Sequence, residues 1–454
     1  MKALREKLIS QGIHTLLVQF TDIHGTARGK FVPLAHLDDV LTIGAGFSGP
    51  SIWGTGLART GPRSEYYARG IASTTQALPW LPGVARIVGE GFVAGEPFDA
   101  CPRQVLARQV ARLADKHWTL QVGIEPEFFL LKRDAARWVP VDERDCLDKP
   151  SYDLKSLLRQ APFLQRLQDA LERCGLDVLQ LDHEDAHGQY EVNFAHADVL
   201  TSADRVMLFK LAAHALAEAH GHVFSMMPKP FANQPGSGLH CHASLWRGPP
   251  GDMRNVFVAH RPDGSIDPDK LLSPVGRHFV AGVLEHAAAL TALAAPTVNS
   301  YRRLKVSASI TGTTWAPAYV AQGFNNRTAL VRTLSGRFEW RAPDASANPY
   351  LMLAGLIAAG LDGIQRELDP GADCNDDLFE LTLAQLADRG IGLLPQSLEQ
   401  AIDALQADAV IAGALGATLL REFCALKREE AAAYAPHAAP HVTDWEFQRY
   451  ATAF

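Results

Sequence analysis

The stretch Leu181–Phe194, LDHEDAHGQYEVNF, sets the problem that organises the whole chain. It reads as two short strands around a turn containing His187 and Gly188, and that register sets Glu184 opposite Glu191 on one face. Like charges facing each other across a hairpin are destabilising. Either the face is wet, or a cation lies between the two carboxylates.

Three other segments repeat the pattern. Residues i and i+2 of a strand point the same way. Glu125 and Glu127 in GIEPEFFLL therefore share a face, as do His240 and His242 in GLHCHASLW, and Arg337, Glu339 and Arg341 in GRFEWRAP. The alternate positions carry Phe128, Leu239, Cys241, Phe338 and Trp340. Any one of these segments alone is a solvated strand face. Together they imply an antiparallel sheet with an apolar back and a front of five glutamates and a histidine, which would repel itself unless hard divalent ions were held there. Arg303, Arg327, Arg332, Arg337 and Arg341 follow in the same part of the chain. Arginine suits planar recognition of carboxylate and phosphate, so metals plus arginines point to a polyanionic substrate such as a nucleoside triphosphate. No P-loop motif is present.

Around these motifs the composition is ordinary. The 454 residues are 47% apolar and 20% charged, with a net charge of −7 that argues against a general nucleic-acid binder. Six scattered cysteines without a CxxC pair read as reduced, buried thiols of a cytoplasmic protein. The N-terminus reads as an amphipathic helix running into a strand, without signal-peptide features. The most apolar helix, VAGVLEHAAALTALAAP, is interrupted by Glu285 and His286, so no membrane span is expected. Residues 1–100 are strand-like and rich in Gly and Pro, and a boundary is placed near residue 100. Beyond it short strands alternate with long helices, among them AVIAGALGATLLREFCALKREEAAAY read as one C-terminal helix. The fold class expected is α+β, not regular βαβ winding.

The motifs GIEPEFFLL, HEDAHGQYE, GSGLHCHASL, NSYRRL, NNRTALVR and RFEWRAPDASANPY resemble, in order, those of the glutamine synthetase family. The resemblance implies a small N-terminal β-grasp domain (1–100) and a catalytic domain (101–454). It also implies homo-oligomeric rings, a dodecamer of two hexamers, with active sites between subunits. Glu127, Glu184 and Glu191 match one metal site, and Glu125, His240 and Glu339 a second. Two or three Mg²⁺ or Mn²⁺ ions are implied, with ATP as a substrate. Arg303 and Arg341, with the backbone at Gly236, match the glutamate site. Arg327, Arg332, Arg337, His242 and Ser244 match the nucleotide side, and Arg303 and Arg327 also match catalytic positions.

Two departures bear on the acceptor. Where the family's ammonium-binding motif reads close to FDGSSI, this chain has FSGPSI, with Ser48 in the aspartate's place. Where a flap normally carries a glutamate, KVSASITGTTWAP puts Trp315. One change removes a charge and the other adds an aromatic face, which suits a small alkylamine better than bare ammonium. Glu65 is the candidate replacement acid, and Asp185 a second. Pro235 stands where many members have Asn. The function implied is an ATP-dependent ligase joining the γ-carboxylate of glutamate to a small primary amine such as methylamine, and the branch resembled includes γ-glutamylmethylamide synthetases. The alternatives are a glutamine synthetase using ammonia, a non-catalytic nucleotide- or glutamate-binding paralogue, and a guanidino phosphotransferase.

Overall fold

A computed structural model describes residues 1–135, 137–249, 251–306 and 315–454. Its strands fall into two main sheets. The first is built on β1 (Thr15–Thr21), β2 (Ala27–Pro33), β3 (Ala45–Ser48), β4 (Glu65–Gly70) and β5 (Val84–Val93), in the order β2-β1-β5-β4-β3. β1 and β5 run parallel and the other pairs antiparallel. The second follows β6 (Trp118–Asp134), β7 (Val178–His183), β8 (Gln189–Phe194), β9 (Leu239–Arg247), β10 (Gln322–Phe324), β11 (Val331–Leu334) and β12 (Arg337–Trp340), in the order β7-β8-β6-β9-β12-β11-β10. Only its β10–β11 edge pair is parallel along that path.

The alternation read in the sequence is what packs this second sheet. Ile124, Phe128, Val192, Cys241, Phe338 and Trp340 are buried in the main core. Helices Val199–Ala219 and Pro349–Gln365 belong to that core, and the second is buried along nearly its whole length. The opposite face is left to the ionisable residues.

A largely buried ionic knot ties the first sheet to three helices. Arg103 pairs with Glu90 of β5 and with Asp204 at 2.9 Å, and the Tyr350 hydroxyl donates to Asp204 at 2.7 Å. Arg86 of β5 donates to the Asp204 carbonyl at 3.2 Å.

Two expectations are corrected. The C-terminal helix is two helices, Ala409–Leu415 and Ala417–Tyr434, because Gly416 adopts φ +84°, a conformation that breaks an α-helix. Five cysteines are buried but Cys146 is exposed, since it lies on the loop after Asp145 and not on a core element. The expected interruption of the apolar helix is observed at His286, whose ring reaches Asp408 at 2.6 Å and Asp362 at 3.0 Å. Among the described residues no single helix is long and apolar enough to cross a membrane.

Candidate active site

Strand register assembles the site. Asp182 of β7 pairs with Glu191 of β8, which pairs with Glu127 of β6. Two residues along, Glu125 pairs with His240 of β9. Two further, His242 pairs with Glu339 of β12, and that residue with Arg332 of β11. Three rows of charge thus cross one sheet face, acids at the β7 side and arginine at the β11 side. They line a cavity of about 820 Å³.

The expected opposition of Glu184 and Glu191 is not the observed register. Asp182 stands opposite Glu191, and the Glu184 backbone N–H donates to the Gln189 carbonyl at 3.0 Å. The turn takes more residues than the sequence reading allowed, which shifts the pairing by two and keeps Glu184 on the same face. Asp182 was therefore missed, though its i−2 spacing from Glu184 was the available signal.

Ligand-type atoms of Glu125, His240 and Glu339 lie within 4.8 Å of one another. The same holds for Glu127, Glu191 and His240, and for Asp182, Glu184 and Glu191. His240 Nδ1 lies 3.8, 3.7 and 3.6 Å from carboxylate oxygens of Glu125, Glu127 and Glu339. Gly238 is pressed into this cluster, since a Cβ there would lie 2.7 Å from His240 Nε2 and 2.9 Å from Glu127 Oε1.

The electrostatics divide the cavity. Burial, then the charges of neighbouring acids, pushes the Glu184 and Glu191 carboxyls well above the usual carboxylate range. The same causes bring Asp182 up to about 6. Glu339 is also buried, but Arg341, then His240 and His242, outweigh burial and hold it down to about 2. Glu125 is held below its usual range because the neighbouring imidazoles of His240 and His242 overcome burial. A buried group of acids short of positive charge, offering oxygens and one imidazole, fits hard divalent cations.

The arginines are individually anchored. Arg332 donates to Glu339 at 2.8 Å and to Asn325 at 2.9 Å. Buried Arg303 donates to the carbonyls of Ala342 at 2.9 Å and Arg341 at 3.2 Å. Arg341 pairs with Glu339 and donates to the Trp315 carbonyl at 3.0 Å. Arg327 and Arg337 are exposed at the cavity wall. Gly236 lines the cavity where a Cβ would collide with the Pro228 carbonyl, and Pro235 lies beside it. Trp315 lines the cavity at 39% exposure. The rest of the expected flap, residues 307–314, lies outside the described residues.

Other expected residues are placed apart. Ser244 shares the face of His242 but accepts from the Trp246 indole at 2.9 Å and is not among the cavity's lining residues. Ser48 and Glu65 are direct cross-strand partners on β3 and β4, exposed, with the Tyr67 hydroxyl donating to Glu65 at 2.6 Å. Neither lines the cavity of its own chain. Asp185 does line it and accepts from the Ser151 hydroxyl. Sequence reasoning also missed Tyr152, an exposed aromatic at the cavity with φ +63°, and Lys229, whose MPKP setting carries no periodic signal.

With this geometry in view, the comparisons with known proteins are informative. Residues 99–450 match the family model described as glutamine synthetase, catalytic domain. Glutamate–methylamine ligase of Methyloversatilis universalis is 47% identical, over 97% of this chain and 96% of that protein. Glutamine synthetase of Rhizobium leguminosarum bv. phaseoli is 37% identical, over 96% of each. A solved structure described as "GmaS/ADP complex-Conformation 1" superposes with a TM-score of 0.87 at 37% identity, covering 99% of both chains. The ordered motifs, the carboxylate-fronted sheet and these full-length likenesses have one origin: the chain belongs to the glutamine synthetase family.

Proposed function

We propose that the protein is an ATP-dependent ligase that joins the γ-carboxylate of glutamate to a small primary amine, with methylamine the preferred acceptor. The observation that carries the reading is a single cavity in which acids face arginines across one sheet, with Trp315 at its wall. The 47% identity to a glutamate–methylamine ligase supports the choice of amine.

Glu125, His240 and Glu339, and the acids Glu127, Glu184, Glu191 and Asp182, would hold two or three divalent ions, Mg²⁺ or Mn²⁺. Bound there, such ions supply counter-charge and Lewis acidity to phosphate oxygens. The chain's own cations do the rest. Arg327, Arg332 and Arg337, with His242, orient the ATP phosphates. Arg303 and Arg341, beside Gly236, hold glutamate so that its γ-carboxylate oxygen meets the γ-phosphorus in line. ADP leaves, and γ-glutamyl phosphate remains. The neutral amine then attacks the acyl carbon, phosphate departs, and the amine nitrogen gives up a proton.

Small alkylamines are mostly protonated at neutral pH, so an anionic group must hold the cation first. We assign Asp185, which lines the same cavity, to that role, with Trp315 over the alkyl group. Assembly into rings, two hexamers stacked as a dodecamer, would bring Ser48 and Glu65 of a neighbouring subunit to the same opening. The proposed location is the cytoplasm.

The test is product identification by mass after incubation with ATP, glutamate, Mg²⁺ and methylamine. γ-Glutamylmethylamide with stoichiometric phosphate is expected. Tight nucleotide binding without turnover on any amine would instead indicate a binding protein.

A further inference from the structure

Both arginines that face the glutamate position are largely committed to the protein. Arg303 spends Nη1 and Nη2 on two carbonyl oxygens, and Arg341 spends its own on Glu339 and the Trp315 carbonyl. The buried Arg341 Nε has no partner and remains free to donate, so an incoming amino-acid carboxylate meets few uncommitted donors there and would gain from another. Lys229 offers one. It lines the cavity, and its stem runs along Gly236, where a Cβ would lie 3.2 Å from Lys229 Cδ. Among the described residues its ammonium has neither a carboxylate within 4.0 Å nor a hydrogen-bond acceptor.

The backbone beneath it is fixed. Lys229 N–H donates to the Asn299 side chain at 2.7 Å, and Asn299 Nδ2 donates back to the Lys229 carbonyl at 3.1 Å. Asn299 also donates to Glu446 at 2.8 Å, a fully buried acid paired with Arg302 at 2.6 Å. This anchoring fixes the backbone under a partly buried ammonium that faces the cavity without a partner among the described residues. Burial, then the charges of Arg303 and Lys305, pushes the Lys229 ammonium down to about 8. A bound carboxylate would supply the counter-charge that this position lacks.

We propose that Lys229 is a substrate-binding residue that contacts the carboxylate of the acyl donor beside Arg303 and so selects for an α-amino dicarboxylic acid. This rests on the ligase reading above. It adds a point charge beside arginine forks whose Nη atoms are already engaged.

The experiment compares Lys229→Met and Lys229→Arg with the parent enzyme, measuring KM for glutamate, ATP and methylamine and the melting temperature. Lys229→Met is expected to raise KM for glutamate about 10- to 100-fold, with KM for ATP and methylamine within about twofold, and melting unchanged. Lys229→Arg should recover most of the glutamate affinity. An unchanged glutamate KM in Lys229→Met, or a rise confined to ATP, overturns the assignment while leaving the ligase reading intact. A parent enzyme that turns over no glutamate overturns both.

Discussion

At the scale of single residues, Glu184, Glu191 and Asp182 are acids that the fold keeps close at a cost to the metal-free protein. Replacing Glu191 by Gln removes one of the repelling charges. Metal-free Glu191→Gln should therefore be more stable than the parent, by about 1 kcal/mol in denaturant titration, while kcat/KM falls about 100-fold or more. An acid on a merely wet strand face would change neither. The pH dependence follows with a definite sign. A carboxyl whose folded pKa is raised favours the protonated form, so metal-free stability falls as pH climbs through that value. For Asp182 the value is about 6. Divalent ions compete with those protons, so saturating Mg²⁺ should raise stability by about 2–3 kcal/mol above pH 6. Its effect should be much smaller below that pH, as followed by melting curves with and without the ion.

At the scale of elements, the β7–β8 hairpin depends on a support beneath it. Buried His183 pairs through Nε2 with Asp145 at 2.7 Å, and the same carboxylate accepts from the Gly188 N–H at 2.6 Å. Asp145→Ala leaves both groups unpaired in the interior and should cost about 2–4 kcal/mol. Metal affinity should fall with it, because Glu184 follows His183 directly; calorimetric Mg²⁺ titration and denaturant unfolding check the two effects. This hairpin also marks how far the sequence could be read. Alternation placed Glu125, Glu127, His240 and Glu339 on one face, because strand periodicity is local. The turn between His183 and Gln189 was not legible. Its length is set by Asp145, thirty-eight residues away from His183, and so the pairing of Glu191 with Asp182 was missed. Helix breaks were legible only in part: Glu285–His286 interrupts an apolar run visibly, whereas Gly416 is one glycine among small residues.

At the scale of the whole molecule, the first sheet is joined to the helices behind the site through Arg103, Glu90, Asp204 and Tyr350. Arg103→Met would leave two partly buried carboxylates, Glu90 and Asp204, without their guanidinium and should destabilise the protein by about 1–3 kcal/mol, read as a lower denaturant midpoint. No sequence pattern announced this knot, since its members come from four separate elements. The acceptor side was legible in the sequence only as departures at Ser48 and Trp315, and the single chain does not bring those two residues together. The measurement that bears most directly on the account is a competition: purified enzyme with ATP, glutamate and Mg²⁺ is given equal concentrations of methylamine and ammonium, and the two products are weighed by mass spectrometry. A clear excess of γ-glutamylmethylamide is the predicted result. A predominance of glutamine would contradict it, and would mean that the lost aspartate and flap glutamate have been replaced by acids that still hold bare ammonium.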